Sequence, residues 1–209
     1  MNGLRIAVPR GAMFKETLDA LDGLGIDTAE VRSNDRKLLF EEAGIITMRP
    51  SDVPTYVEAG AADIGITGKD VLAEQGERGV YELLDLRFGP CVMVVATTAG
   101  EDRAAEALRR LGVMRIATKY PKIAAAYFER TGRQAEIVEV KGSVELAPLT
   151  GLVEGIVDLT ATGTTLRENG LVIREELFTS TARLIANPVA HQLKAAAIDD
   201  VVARIRDQA

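Results

Sequence analysis

The stretch VDLTATGTTL, Val157 to Leu166, decides how this chain is read: an apolar residue, one carboxylate, then threonines, an alanine and a glycine, with no positive charge. A short apolar lead running into small and hydroxyl-bearing residues is the pattern of a strand that ends in a turn and opens a helix. ADIGITGKDVL, Ala62 to Leu72, has the same form. Aligned on the aspartates, Asp63 matches Asp158, Thr67 matches Thr162 and Gly68 matches Gly163, and each stretch follows a segment containing Val-Glu. Two such turns so far apart imply two similar α/β lobes with a ligand between them, facing the carboxyl ends of both sheets. Glycine and threonine are common in strand-to-helix turns, so two unrelated connections account for the likeness equally well.

Outward from these points, β-branched runs alternate with amphipathic stretches, which predicts α/β architecture with largely parallel strands. Strands are expected in LRIAVP, in the run ending at Arg49, and in VYELLDL, CVMVVATT, MRIATKYP, AEIVEVKG and TARLIANP. CVMVVATT is apolar without alternation, as in a sheet covered on both faces, and Cys91 within it reads as core. AMFKETLDALDGLG reads as a helix with Phe14, Leu18, Leu21 and Leu24 on one face. Further helices are expected from Ser51 as an N-cap with Pro54 in the first turn, in EDRAAEALRRLG, in KIAAAYFERTG with Pro121 at its start, in SVELAPLTGLVEG capped by Ser143 and disturbed at Pro148, and in AAIDDVVARIRDQA.

The 209 residues suffice for one large domain or two small lobes, and 47% hydrophobic with 27% charged residues is ordinary for a globular chain. A net charge of -6 with scattered basic residues argues against nucleic acid as a partner, but leaves open a small phosphorylated ligand held by backbone N–H groups and a few arginines. MNGLRIAVPRGAMF has no signal-peptide pattern and no apolar run approaches a membrane span, so a cytoplasmic protein without membrane contact is expected. One cysteine excludes an intrachain disulfide, and the single histidine, His191, reads as structural or exposed rather than as part of a triad or metal site.

The Asp158 turn has the parts to hold a phosphorylated sugar. Its carboxylate can accept hydrogen bonds from vicinal hydroxyls, and Thr160, Thr162, Thr164 and Thr165 offer hydroxyl donors. Gly163 lacks a Cβ that would block backbone N–H groups from a phosphate, and a helix start would add a favourable dipole. A plain strand–turn–helix connection explains the same residues. GITGKD is not a P-loop, because Asp63 and Asp70 stand where that motif requires glycine and a hydroxyl residue. Arg10, Arg32, Arg36 and Arg49 lie near predicted strand ends, where a guanidinium can fork onto phosphate oxygens, although any one of them alone reads as a solvated surface residue. Glu139, Lys141, Ser143 and Glu145 cluster at a strand-to-helix turn just ahead of the Asp158 element.

The segment EVKGSVELAPLTGLVEGIVDLTATGTTLRENGL, Glu139 to Leu171, resembles the signature of the ATP phosphoribosyltransferases in their short form, the catalytic subunits that open histidine biosynthesis. LRIAVPRG, RSNDRKLLF, RPSDVPTYVEAGAADIGITGKDVL and RIATKYP extend the likeness over most of the chain. The resemblance implies a two-lobed α/β fold of the type II periplasmic-binding-protein kind with its active site in the interlobe cleft: residues 1–90 as lobe I, 91–180 as lobe II, and 181–209 returning to lobe I. It implies attack by N1 of the adenine of ATP on the anomeric carbon of phosphoribosyl pyrophosphate (PRPP), with pyrophosphate leaving and Mg2+ held mainly by substrate rather than directly by protein. Asp158 would then hold the ribose hydroxyls, Thr160 would add a hydroxyl, and Ala161, Thr162, Gly163, Thr164 and Thr165 would wrap the 5′-phosphate. Arg10, Arg32 and Arg49 would meet phosphates of ATP or pyrophosphate, and Glu139 would lie near the ribose or magnesium. The family start is commonly Pro-Lys-Gly-Arg, so Ala12 replaces an arginine and leaves the role of that first loop open. The implied partner is a separate regulatory subunit resembling histidyl-tRNA synthetase, around a homodimer within a hetero-octamer. The competing reading is a non-catalytic small-ligand-binding module of the same bilobal fold.

Overall fold

A computed structural model of the chain describes residues 3–208; Met1, Asn2 and Ala209, at the outer bounds of the expected lobes, lie outside the described residues. The elements sort into two units, one taking the chain up to Gly89 and again from Thr181, the other Pro90–Ser180. The first unit begins with β1 (Ile6–Pro9), α1 (Phe14–Gly23), α2 (Ala29–Ser33), β2 (Leu39–Phe40), β3 (Ile45–Met48), α3 (Val53–Glu58), β4 (Ile64–Gly68), α4 (Lys69–Gln75) and β5 (Tyr81–Asp85). The second consists of β6 (Cys91–Thr98), α5 (Arg103–Leu111), β7 (Met114–Thr118), α6 (Pro121–Arg130), β8 (Ala135–Glu139), α7 (Leu146–Leu149), β9 (Gly155–Thr160), α8 (Thr164–Glu168) and β10 (Leu171–Ser180). The chain re-enters the first unit with β11 (Ala182–Ala186), α9 (Pro188–Leu193) and α10 (Ala195–Gln208).

Each unit is built on one sheet, ordered β2-β3-β1-β4-β11-β5 in the first and β10-β6-β9-β7-β8 in the second. The expectation of largely parallel strands is corrected. β1 is parallel to β3 and β4, and β7 to β8 and β9, while the other pairings are antiparallel. β2 and β3 are consecutive strands joined by a short turn; for the rest the cause is the crossing chain, because β6, on which it enters the second unit, and β11, on which it returns, are inserted between strands that run against them.

Helices cover both faces of each sheet, which is why the central strands read as unbroken apolar runs. In the first unit Leu18 and Leu21 of α1 and Ile198, Val201 and Ile205 of α10 pack with Ile6 and Val8. Val53 and Val57 of α3 close the opposite face on Ala7 and Ile185. A Cβ at Gly65 would come within 2.7 and 2.8 Å of those two valines, so the glycine in β4 is what lets α3 approach. In the second unit the alternation of β6 sends Met93 and Val95 to Ile123, Ala124 and Phe128 of α6, and Val94 and Ala96 to Ala147 of α7 and Leu166 of α8.

Local chemistry moves several expected boundaries. α3 starts at Val53 with Asp52, not Ser51, at the N-cap, and Pro54 does fall in its first turn. The helix expected across SVELAPLTGLVEG shrinks to α7, because Pro148 cannot donate a main-chain bond and Gly151 adopts φ +75° just past its end. Its N-cap position is Glu145, while Ser143 contributes only its carbonyl, accepting from the Leu146 N–H at 3.4 Å. Cys91 is half-buried at the mouth of β6 rather than in the core, paired with Ser180 where the chain crosses.

Candidate functional site

Asp158 lies near the carboxyl end of β9, flanked by β6 and β7, with Val94 as its register partner and Thr118 paired to the preceding Val157. It is a carboxylate in a core position, only 7% exposed. Its compensation is sparse: the Leu159 N–H donates to Oδ1 at 2.9 Å, and the Lys119 ammonium lies 3.9 Å from Oδ2. Burial pushes the Asp158 carboxyl up from its ordinary range, Lys119 and the Leu159 N–H pull it down, and Glu145 pushes it up again. A buried carboxylate so thinly paired costs the fold free energy, which makes it a candidate for a functional group.

Beyond it the turn is self-organised. Thr160 Oγ1 accepts from the Gly163 N–H at 2.8 Å, and the hydroxyls of Thr162 and Thr164 bond each other at 2.9 Å. Gly163 takes φ +69°, the left-handed conformation that favours glycine, and stands at the N-cap of α8. Ala161, Thr162, Thr164 and Thr165 are exposed, and among the described residues the N–H groups of Ala161 and Thr162 donate to nothing. Two amides without an acceptor, on exposed residues, and the adjacent hydroxyls form a small candidate donor set for an anion. α8 has only 5 residues, so its dipole adds little to them.

Two cations missing from the sequence-based site stand here. Arg167 donates to the Thr162 carbonyl at 2.9 Å and the Thr164 hydroxyl at 3.0 Å, bracing the turn from one helical turn further on. Lys119 reaches Asp158 across the β7–β9 pairing. The spacing from Gly163 to Arg167 could have found the first; only the strand register brings in the second. Glu139 ends β8, opposite Thr118, so Lys119 stands between the lines of Glu139 and Asp158. The Glu139 side chain is exposed, with Lys141 Nζ at 4.0 Å.

In the first unit Arg10 and Arg49, at the ends of β1 and β3, share a depression of about 570 Å³ with Leu39, Met48 and Tyr56. Arg10 is occupied by protein: Nε donates to Thr47 Oγ1 and Nη2 to the Lys37 carbonyl, both at 2.9 Å, and Phe14 lies under the guanidinium. Arg49 is exposed, and among the described residues its guanidinium makes no hydrogen bond or ion pair. Arg32 lies apart from this depression, bonded to Asp22 at 2.6 Å and Asp19 at 2.7 Å, with its guanidinium held still further into the charged form by those carboxylates. His191 is half-buried, edge-on to Tyr81 at 5.7 Å and 3.9 Å from Asp199, a structural setting. The aligned aspartates part company: Asp63 precedes β4 and is bound by the Arg5 N–H at 2.7 Å and Lys194 at 2.8 Å, whereas Asp158 is near the far end of β9. The two stretches share a strand-to-helix turn, but their carboxylates sit at opposite ends of the strands.

Residues 49–207 match the family model described as HisG: ATP phosphoribosyltransferase. An ATP phosphoribosyltransferase of Rubrobacter xylanophilus is 53% identical over 210 residues, covering 98% of this chain and 96% of the relative. Among solved structures, the chain resembles an ATP phosphoribosyl transferase (HisG:HisZ) complex from Thermotoga maritima, with 33% identity, a TM-score of 0.79 and 98% of each chain covered. The periplasmic VFT2 domain of Bordetella pertussis BvgS matches with a TM-score of 0.57 at 16% identity, over 97% of this chain and 91% of that one, and shows the fold alone.

Proposed function

The chain belongs to the ATP phosphoribosyltransferase family and is an enzyme of the first step of histidine biosynthesis, transferring the phosphoribosyl group of PRPP to N1 of ATP; from that premise we propose how its residues do so. Asp158 accepts the ribose hydroxyls of PRPP. The free N–H groups of Ala161 and Thr162 and the hydroxyls of Thr160, Thr162, Thr164 and Thr165 receive the 5′-phosphate, on a turn shaped by Gly163. N1 of adenine forms its bond to the anomeric carbon as the bond to pyrophosphate breaks, and positive charge builds on the sugar beside the Asp158 carboxylate. The chain contributes positioning and charge, with no covalent intermediate on a side chain.

Arg49, whose guanidinium is uncommitted, and Arg10 beside it are proposed to meet phosphates of ATP or pyrophosphate; Arg32 would do so only by leaving Asp19 and Asp22. Glu139 is proposed as a polar contact near the ribose or the magnesium. Among the described residues no three carboxylate, histidine or cysteine side chains gather into a metal-holding set. Mg2+ is proposed to be held mainly by the substrate, and when bound it would help to neutralise the leaving group. The solved relative is a HisG:HisZ complex, which supports a separate regulatory subunit for this chain; a homodimer inside a hetero-octamer and a cytoplasmic site of action complete the proposal. No helix among the described residues is long and apolar enough to cross a membrane.

The observation that carries the site assignment is the buried, thinly paired Asp158 directly ahead of a turn with two unbonded amides. The test is an incubation of the purified chain with ATP, PRPP and Mg2+, with and without the regulatory subunit, followed for phosphoribosyl-ATP. Product that depends on all three is expected; none in either arm overturns the assignment.

A further inference from the structure

Lys119 belongs to no motif that defines the PRPP turn, yet it is the cation next to the one buried carboxylate of the second unit's site. Thr118 pairs with Val157 in the parallel β7–β9 ladder, so the residue after it comes level with Asp158. Its ammonium lies 3.9 Å from Oδ2, beyond hydrogen-bond range but close enough to act on the charge. The lysine side chain is 41% exposed and that of Asp158 10%, so the pair consists of a solvated cation over a desolvated anion.

The groups around Asp158 leave Lys119 this task alone. On β6 the register partner is Val94, which is apolar. From the start of α7, Glu145 acts on Asp158 with the wrong sign, and the Leu159 N–H is a neutral donor. Arg167, on α8, is turned to Thr162 and Thr164. Lys141, past the end of β8, is directed to Glu139.

Resting on the PRPP reading of this turn, we propose that Lys119 is a positioning residue that keeps Asp158 ionised, so that its carboxylate is ready to accept the ribose hydroxyls, and that it acts through this charge rather than by touching the pyrophosphate. A protonated Asp158 would present one hydroxyl donor where two sugar hydroxyls need acceptors, so PRPP binding should fail on the acid side as that proton goes on. Removing the lysine charge makes the proton bind more readily, and the acid limb moves to higher pH. An opposite charge at this distance favours the ionised carboxylate, so its loss moves the limb upward.

The experiment measures PRPP binding by calorimetry, with Mg2+, across pH, for the intact chain and for Lys119→Met, Lys119→Arg and Asp158→Asn, with circular dichroism as the folding control. The expected result is an acid limb displaced upward by about one pH unit in K119M, affinity recovered at higher pH, the limb restored in K119R, and no such limb in D158N. A loss in K119M that is equal at every pH, as direct contact with pyrophosphate would give, overturns the inference, as does an unmoved limb or one that persists in D158N. Should K119M fail to fold, K119R and D158N alone decide it: a limb absent from D158N and unmoved in K119R supports the inference, and a limb kept in D158N overturns it. Wild-type chain that binds no PRPP at any pH removes the functional reading itself, a result distinct from an unmoved limb.

Discussion

Replacing Asp158 by asparagine should separate function from stability in opposite directions. The substitution preserves shape, and the side-chain oxygen can still accept the Leu159 N–H that Oδ1 now receives at 2.9 Å. It removes the charge and converts Oδ2, the oxygen nearest Lys119, into a donor facing hydroxyls that also need to donate. Two hydrogen bonds to a charged acceptor are thereby weakened or lost; at roughly 1.5 kcal/mol each, the ~3 kcal/mol total corresponds to about 100-fold in PRPP affinity. Stability should move the other way. Burial raises the carboxyl in the folded chain, so the folded state holds this proton more tightly than the unfolded state. Its contribution to stability is whole below the unfolded value and lost as pH rises through the raised folded value, which leaves the ionised residue a burden at neutral pH. Asparagine has no such burden, so D158N should melt above wild type at pH 7.5, with the gap closing in acid. Calorimetric titration with PRPP and Mg2+ beside thermal melts at several pH values tests both halves. Unchanged PRPP affinity, or a melting temperature lowered at neutral pH, refutes the reasoning.

Gly163→Ala forces a side chain into φ +69°, at about 1–2 kcal/mol; the nearest atom to the added methyl is the flexible Arg167 Nη1 at 3.1 Å, so the backbone term should dominate. A lowered melting temperature and KM for PRPP raised about tenfold are expected, and wild-type values for both would contradict the assigned turn geometry. Glu154, which enters β9, is pushed up by burial, but the Arg115 guanidinium and N–H outweigh this and hold it below its usual range; Arg133 and the Tyr127 hydroxyl likewise hold Glu175 low. Lowered folded values give stability that is present above the unfolded glutamate range and lost as pH falls through the folded ones. Urea unfolding from pH 7 to pH 3 should therefore show falling stability, with a shallower fall and a cost of about 1 kcal/mol at pH 7 in Glu154→Gln, kept modest because the Arg115 side chain is 44% exposed. An unaltered pH slope in that variant would count against the pairing.

What the sequence makes legible is what local chemistry alone decides. The faces of α1 and α10 and the doubly buried β6 follow from spacing and hydrophobicity. β10 does not, because irregularities at Ile173/Glu175 and Glu176/Phe178 break its alternation, and a period-two reading sees no strand there. Strand direction is equally hidden: β6 and β11 look like any buried strand, and only the crossing chain makes them antiparallel. In the site, the Thr-Gly turn is plain from residue types, while the commitments of its neighbours are set by tertiary contacts. Arg32 resembles Arg49 in sequence, yet Asp19 and Asp22 of α1 hold the one, and among the described residues nothing comparable holds the other. Lys119 lies 39 positions from Asp158 and comes beside it only through the β7–β9 register.

A crystal structure of the chain with PRPP and Mg2+ would show which groups hold the ligand. The 5′-phosphate is expected on the N–H groups of Ala161 and Thr162, with the ribose hydroxyls on the Asp158 carboxylate. PRPP bound elsewhere, with those amides still open and Asp158 untouched, would contradict it.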